Sequence, residues 1–382
     1  MERNSNRILL FTTAFRPFIG GSELAIEEIA KRLPNVNFDI ITPRYTRKLK
    51  KLEDFGNMRV FRVGWGWSSD KFFFPMGGFL KARKLVKHNS YEMVHAYQAS
   101  YGAGAAWLLR FFNPRLKFIL TLQEGKNLEQ QGFWINFFRK KIIKKADQIT
   151  VISNYLKDYA KKFNKNVKIT IIPNGVDLDN FSKEYSYGEL SELADYLGVK
   201  PGEKVIVSVS RLVPKNGVDV LIGAFAEICK PKIINCKLLL VGDGPEGESL
   251  KFKAKSLKLG DRVIFAGSVS HDELPKYLKI SDVFVRPSRS EGLGSAFLEA
   301  MAAGTPVIGT KIGGIPDFLK NNETGLFAEI DNPENLAEKI NLILTDKELH
   351  EKIIKNAQDL VVQKYDWNKI AIQFKELYEF QI

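Results

Sequence analysis

The sequence predicts an α/β protein built from two doubly wound parallel-sheet domains in tandem, facing each other across a cleft. Three observations predict it. At 382 residues the chain is too long for one ordinary core. Short apolar runs alternate with stretches of helical period through both halves, the pattern of parallel sheets with crossover helices. Near the middle, Pro173-Asn174-Gly175 marks a turn, and the linker is placed there. The expected division is 1–180 for the first domain and 181–366 for the second. Residues 367–382, beyond a Tyr-Asp-Trp break, are expected to cross back to the first.

In the first half, RILLFT (7–12) reads as the opening strand and Ser22 to about Leu33 as a helix. Gly20 and Gly21 lie where the strand hands over to that helix. Backbone amides at such a place can hold a phosphate, or the pair simply makes a tight turn. FDIIT (38–42) and RVFRV (59–63) continue the sheet. EMVHA (92–96) and KFILTL (117–122) are strands read as carrying His95 and Gln123 at their C-terminal ends, where open α/β sheets collect ligands. QITVIS (148–153) and KITII (168–172) complete this half. Asp177 and Asp179 sit in the turn that follows, and capping explains them better than a metal does.

Two segments interrupt this regularity. Residues 64–87 hold Trp65, Trp67, Phe72, Phe73, Phe74, Met76 and Phe79 with Lys71, Lys81, Arg83, Lys84 and Lys87. Residues 132–146 hold Phe133, Trp134, Phe137 and Phe138 with Arg139, Lys140, Lys141, Lys144 and Lys145. Aromatics beside Lys and Arg suit a helix on an anionic bilayer surface, or a core helix with a solvated basic face. Charge is uneven in the same sense: 31 Lys/Arg against 15 Asp/Glu in residues 1–180, and 26 against 29 in residues 181–382, within a net +13. The first half therefore faces something anionic.

The second half alternates cleanly: VIVSVS (205–210), a helix from Gly217, KLLLVG (237–242), a helix from Pro245, RVIFAG (262–267), a helical stretch over 271–281, and DVFVRP (282–287). Residues 288–310 then form a loop rich in small residues, an apolar helix and a strand. Glu291 lies in that loop and Glu299 in the helix, so both can face a cleft at the helix N-terminus. A buried acid in a Leu/Met/Ala helix is costly without a partner, and Glu299 asks for a ligand hydroxyl or an arginine. Arg211 and Lys215 sit in RLVPKNG (211–217), at the end of a neighbouring strand. Two cations beside a helix N-terminus make a clamp for a diphosphate. A phosphate-bearing donor whose sugar is held by a carboxylate follows from these residues alone.

Composition narrows the class. The chain is 45% hydrophobic and 26% charged, with no 18-residue apolar run to span a bilayer. The short, strand-like apolar stretch at its start, followed by Arg16-Pro17, is not read as a signal peptide. Cys229 and Cys236 indicate neither a disulfide framework nor a metal cluster. A cytoplasmic protein is expected, peripheral on the inner face of the membrane if the basic aromatic segments dock there.

IPNGVDLDNF (172–181), SRLVPKNGVDVLIGAF (210–225), LLLVGDGPEGESL and SRSEGLGSAFLEAMAAGTPVIGTKIGGIPD resemble the retaining, nucleotide-sugar-dependent glycosyltransferases of family 4 (glycosyl transferases group 1). These have the GT-B fold of two Rossmann-like domains. The likeness covers nearly the whole chain and is most specific from Asn174 to Gly325. The family's Glu-x7-Glu falls on Glu291 and Glu299, and Gly20-Gly21 matches its N-terminal glycine loop. The resemblance implies that Glu291, with the amides of Gly292, Leu293 and Gly294, holds the transferred sugar and a phosphate. It gives Glu299 the ribose hydroxyls. Arg211 and Lys215 would neutralise the diphosphate leaving group in place of a metal ion, so no metal and no other cofactor is expected.

The sequence departs from the family at two places. Asn216 stands where the family has the Lys of its Lys-Gly pair, with Lys215 one residue earlier. Gln123 stands where a His is common; Gln donates a hydrogen bond but cannot act as a base. In the retaining mechanism usually drawn for this fold the departing diphosphate accepts the acceptor proton. Gln123, Glu124 and His95 are the acceptor-side candidates. The expected activity is transfer of a UDP- or GDP-linked sugar to a saccharide or lipid-linked hydroxyl, as in polysaccharide or glycolipid synthesis. A sugar-nucleotide epimerase or another enzyme on the same fold is the alternative. A non-catalytic polyanion binder also fits pI 9.4, but no motif specific for nucleic acid is present.

Overall fold

The computed structural model describes residues 6–18, 20–91, 93–125, 132–230 and 235–379. The chain divides into two compact units, Met1–Asn174 with Trp367–Ile382, and Gly175–Asp366. Each is a layered α/β body of its own. The units divide at 174/175 rather than at 180/181, because residues 175–181 pack within the second unit. Phe181 is buried there against the His271 ring, 4.9 Å between centroids, and Asn180 donates to the His271 carbonyl at 3.1 Å.

The first unit runs β1 (Arg7–Phe11), α1 (Gly21–Arg32), β2 (Asn37–Pro43), β3 (Leu52–Phe55), β4 (Met58–Val63), α2 (Asp70–His88), β5 (Met93–Tyr97), α3 (Tyr101–Phe112), β6 (Lys117–Leu122), α4 (Phe133–Lys145), β7 (Gln148–Val151), α5 (Asn154–Lys161) and β8 (Lys168–Ile171). Its sheet has the order β3-β4-β2-β1-β5-β6-β7-β8, parallel except for β3, which pairs antiparallel with β4. Strand alternation sends Ile8 and Leu10 of β1 to one face with Ile26 and Ile29 of α1. The same cluster holds Trp367, Ile370, Phe374 and Tyr378 of a helix from far along the chain, Trp367–Glu379. That helix packs beside α1. On the other side α2 lies along α3, and α3 borders α4.

In the second unit, α6 (Leu178–Phe181) and α7 (Tyr187–Tyr196) lead into β9 (Lys204–Val209), α8 (Val218–Cys229), β10 (Cys236–Val241), α9 (Gly247–Ser256), β11 (Val263–Gly267), α10 (Leu274–Lys279), β12 (Val283–Arg286), α11 (Ser295–Ala302), β13 (Val307–Thr310), β14 (Leu326–Ala328), α12 (Pro333–Thr345) and α13 (Lys347–Lys364). Its six strands run β11-β10-β9-β12-β13-β14, all parallel. The order reverses at β9, so the loops after β9 and β12 leave the sheet side by side, at the switch point where such sheets bind ligands. Asp177 caps α6 by accepting the Asn180 N–H at 3.4 Å, the capping role its turn suggested. Among the described residues no helix is long and apolar enough to cross a membrane.

Candidate functional site

The second unit gathers its site residues at the C-terminal edge of its strands. The loop after β9 carries Arg211, exposed, and Lys215, half-buried. Asn216, which replaces the expected lysine, turns inward: its amide donates to the Arg211 carbonyl at 2.6 Å, and the residue is buried. Its work is to hold the loop's shape. Gly217 ends that loop at φ +67°, and a Cβ there would lie 2.0 Å from the Pro287 carbonyl. Only glycine lets the loop approach the segment after β12 so closely.

A residue that sequence reasoning passed over locks the same two loops together. The Arg289 guanidinium bonds Asp219 through two parallel contacts, Nη1–Oδ1 at 2.9 Å and Nη2–Oδ2 at 2.8 Å. It also reaches Asp331 at 2.6 Å and the Pro214 carbonyl at 2.6 Å. Its backbone N–H donates to the Lys215 carbonyl at 2.7 Å. The hydrogen bonds that Arg289 donates to Asp219 raise its own pKa further. Burial alone raises the Asp219 carboxyl, but the Arg289 bonds and charge outweigh it and hold that carboxyl below its ordinary value. The only sequence signal was an arginine flanked by two serines inside the candidate loop.

Glu291 and Glu299 prove to have protein partners. Glu291 Oε2 accepts from Arg286 at 2.7 Å, and its Oε1 accepts the Gly292 N–H at 3.0 Å. Arg286 is buried and lies over the Phe297 ring at 4.7 Å, so the carboxylate is fixed from below by a cation. The Glu291 backbone is fixed too. Gly313, φ +55°, sits so close that a Cβ would come 1.8 Å from the Glu291 carbonyl. Glu299, in α11, bonds His271 at 3.2 Å rather than an arginine. A basic residue at the end of DVFVR was the signal for Arg286; His271 had none. Gly294 opens α11 at φ +99°, and Leu293 is buried beside it.

In the first unit, Gly20, Gly21, Gln123 and Glu124 also meet at the strand ends. The Gly20 N–H is already engaged, donating to Glu23 Oε2 at 2.9 Å. Burial raises the Glu23 carboxyl, while bonds from Ser22 and the backbone pull the other way. Gln123 and Asn174 form a reciprocal amide pair, 3.0 and 3.3 Å, and a Cβ on Gly21 would lie 3.8 Å from the Asn174 amide nitrogen. Asn174 is therefore a member of this cluster that the turn reading did not single out. Glu124 accepts the Ala99 N–H at 2.6 Å through Oε1, while its buried Oε2 has no partner among the described residues. Burial raises its pKa, against the charge of Arg139.

His95 does not join them. The strand runs on to Tyr97, so His95 sits at its middle, fully buried beneath the helix Trp367–Glu379. Its Nε2 pairs with Thr121 Oγ1 at 2.6 Å and its Nδ1 with the Tyr378 hydroxyl at 3.0 Å. Burial lowers its pKa to about 3. It is a core histidine with both nitrogens satisfied, not an acceptor contact.

Comparison with known proteins assigns the family and the fold. The family model described as Glycosyltransferase Family 4 matches residues 19–180, and that described as Glycosyl transferases group 1 matches residues 192–360. The chain belongs to the family 4 glycosyltransferases. It is 28% identical to the N-acetyl-alpha-D-glucosaminyl L-malate synthase of Bacillus anthracis, over 95% of this chain and 94% of that one. It is 27% identical to a GDP-mannose-dependent alpha-(1-6)-phosphatidylinositol monomannoside mannosyltransferase of Mycobacterium tuberculosis, over 97% of each. Its fold is that of the GT-B enzymes. It superposes on Anabaena HepE, solved in complex with UDP-glucose, with a TM-score of 0.81 at 21% identity, covering 98% of this chain and 99% of that one.

Proposed function

We propose that this glycosyltransferase moves a hexosyl group from a UDP- or GDP-linked donor to a hydroxyl of a saccharide or lipid-linked acceptor, with retention at the anomeric carbon and without a metal ion. The observation that carries the reading is the Glu291–Arg286 pair, held at the strand ends against a loop that presents Arg211 and Lys215. Glu291, fixed by Arg286, holds the hydroxyls of the transferred sugar. Arg211 and Lys215 face the diphosphate and stabilise the charge that grows on it as the glycosidic bond breaks, charge stabilisation being the protein's largest lever on such a step. The departing phosphate oxygen accepts the acceptor hydroxyl's proton, and the new bond forms on the face the leaving group vacates. Glu299, oriented by His271, takes the ribose hydroxyls. Relatives named for an L-malate glycoside and for a phosphatidylinositol monomannoside support a hydroxyl acceptor without fixing which one. The partners of this reading are the nucleotide-sugar, the acceptor and an anionic membrane surface on the cytoplasmic side.

Thermal shifts with UDP, GDP, ADP and their sugar conjugates identify the donor, since a ligand of the folded state raises stability by mass action. Glu291→Gln, which keeps the shape and removes the charge, is then assayed with that donor. The expected result is a kcat drop of roughly 10²-fold or more. Full transfer by Glu291→Gln would overturn the assignment. Product of inverted anomeric configuration, read by NMR, would overturn retention.

A further inference from the structure

The first unit exposes an apolar edge that its core does not use. Phe133 is 74% exposed, Trp134 68% and Trp65 61%, with Trp67, Phe72, Phe73, Met76, Leu80, Ile135, Phe137 and Phe138 also exposed. Single exposed hydrophobics need no explanation, but two ring clusters of this size, one on α2 and the turn before it and one on α4, mark an interaction surface.

These side chains share one edge. Phe72 meets Tyr101 at 5.6 Å, Gly78 abuts Ala105, and Phe79 meets Phe112 at 5.2 Å, so α2 and α3 run in the same direction. The strands preceding α2, α3 and α4 are mutually parallel. All three helices therefore begin at the C-terminal edge of the sheet, beside Gln123 and Glu124. On both α2 and α4 the outward stripe is apolar in its first turns and basic in its last. It passes from Phe72, Phe73, Met76 and Leu80 to Arg83, Lys84 and Lys87, and from Phe133, Trp134, Phe137 and Phe138 to Lys140, Lys141, Lys144 and Lys145.

The tryptophans ahead of α2 are presented by a built turn. The Asp70 carboxylate accepts the N–H groups of Trp65, Gly66 and Trp67 at 3.2, 2.8 and 3.2 Å. Gly64, φ +124°, leaves that carboxylate no room for a Cβ, which would fall 2.3 Å from Asp70 Cγ. Three amides are thus committed to holding two indoles toward solvent.

We propose that this edge docks on an anionic phospholipid bilayer, with the rings of the turn and of the first turns of α2 and α4 in the interface and the later lysines on the phosphate layer. Spacing suits that arrangement. At about 1.5 Å per residue, Lys140 and Lys141 lie roughly 5 Å beyond Phe137 along the axis, and Lys144 about 10 Å beyond it. These are distances comparable to a Debye length of about 8 Å. Rings and lysines together fit a lipid surface that offers both an apolar layer and fixed negative charge. Nucleic acid offers the charge and rings to stack on, but no layer for Met76, Leu80 or Ile135. Docking would bring the acceptor-side strand ends to the lipid surface, a link to catalysis that rests on the function proposed above.

The test is flotation of the full chain with vesicles of equal phosphatidylglycerol and phosphatidylcholine, against phosphatidylcholine alone, at low and high salt. Brominated lipid serves as a quencher of tryptophan emission. Binding to the anionic vesicles, release by salt and quenching by bromine are expected. Changing Lys140, Lys141, Lys144 and Lys145 together to Glu should lower partitioning at least ~100-fold. Phe133→Ser with Trp134→Ser, or Phe72→Ser with Phe73→Ser, should lower it roughly tenfold. All these positions are exposed, and unchanged circular dichroism and melting verify that the variants fold. Failure to float at low salt, flotation insensitive to every variant, or binding to single-stranded DNA with no lipid quenching would overturn the proposal. So would a dimer that the serine variants dissociate while lipid binding stays absent. Donor-induced thermal stabilisation is read on the same samples. Its absence in protein that floats normally would count against the transferase reading and leave docking intact.

Discussion

Arg289 and Asp219 meet through two parallel hydrogen bonds of 2.9 and 2.8 Å, and the pair ties the loop after β12 to the helix that follows β9. The cation is spent on architecture: the guanidinium fixes the Pro214 carbonyl, the backbone N–H of the same residue fixes that of Lys215, and together they set the place where Arg211 and Lys215 stand.

Arg289→Ala is therefore expected to loosen the site while the unit still folds. Losing a part-exposed bidentate pair costs about 1–3 kcal/mol, a fall in melting temperature of roughly 3–8 °C. The apparent KM for the donor should rise about tenfold. Arg289→Lys keeps the charge but not the fork and should recover less than half of either effect. Calorimetry and donor titration check both. A KM unchanged in the alanine variant would mean that the clamp does not govern the donor loop.

Two glycines of positive φ separate backbone strain from crowding. At Gly267, φ +70°, nothing lies within 4 Å of an added Cβ, whereas at Gly313, φ +55°, the Glu291 carbonyl would be 1.8 Å away. Gly267→Ala should cost only the conformational penalty, about 1–2 kcal/mol. Gly313→Ala must in addition displace the loop bearing Glu291, and should exceed about 3 kcal/mol or abolish donor binding in whatever folds. Urea midpoints compare the two directly; equal costs would show that Glu291 is not pinned.

Acid should weaken the first unit through His95. Its pKa is near 3 when folded and about 6.5 when unfolded. Between those values the unfolded chain binds a proton that the folded one refuses. Stability contributed by this group is therefore complete above about pH 6.5 and falls as pH drops, by up to about 1.4 kcal/mol per pH unit. The raised carboxyls of Glu23 and Glu124 act in the opposite sense, because their folded forms hold protons longer. The difference between wild type and His95→Gln isolates the histidine. Urea midpoints from pH 7 to pH 4 should fall more steeply in the wild type, and parallel slopes would count against the buried neutral ring.

How much of this was legible depended on whether a residue's partner lay close in sequence. The parallel sheets were readable because apolar runs such as LLLV and VFV are buried on both faces and stand out from amphipathic helices. Leu52–Phe55 was not, being short, charged in the middle and paired antiparallel at the edge, with neither face fully buried. Glu291 and Glu299 could be located, since an acid in an apolar stretch is costly. The partner of Glu299 could not be assigned, because His271 lies 28 residues away and reaches it only through packing, whereas Arg286 stands five residues before Glu291. His95 was misplaced for a related reason. Its neighbour Tyr378 is 283 residues away, and no local pattern shows which strand a returning helix will cover.

That returning helix also bears on the order of synthesis. Trp367, Phe374 and Tyr378 fill the same cluster as Ile8, Leu10 and Phe38, yet the ribosome makes them after all of Gly175–Asp366. During translation the second unit has its whole sequence available before the first does. The nascent first half, basic and rich in aromatics, must wait with the part of that face beside α1 uncovered until the stretch from Trp367 emerges.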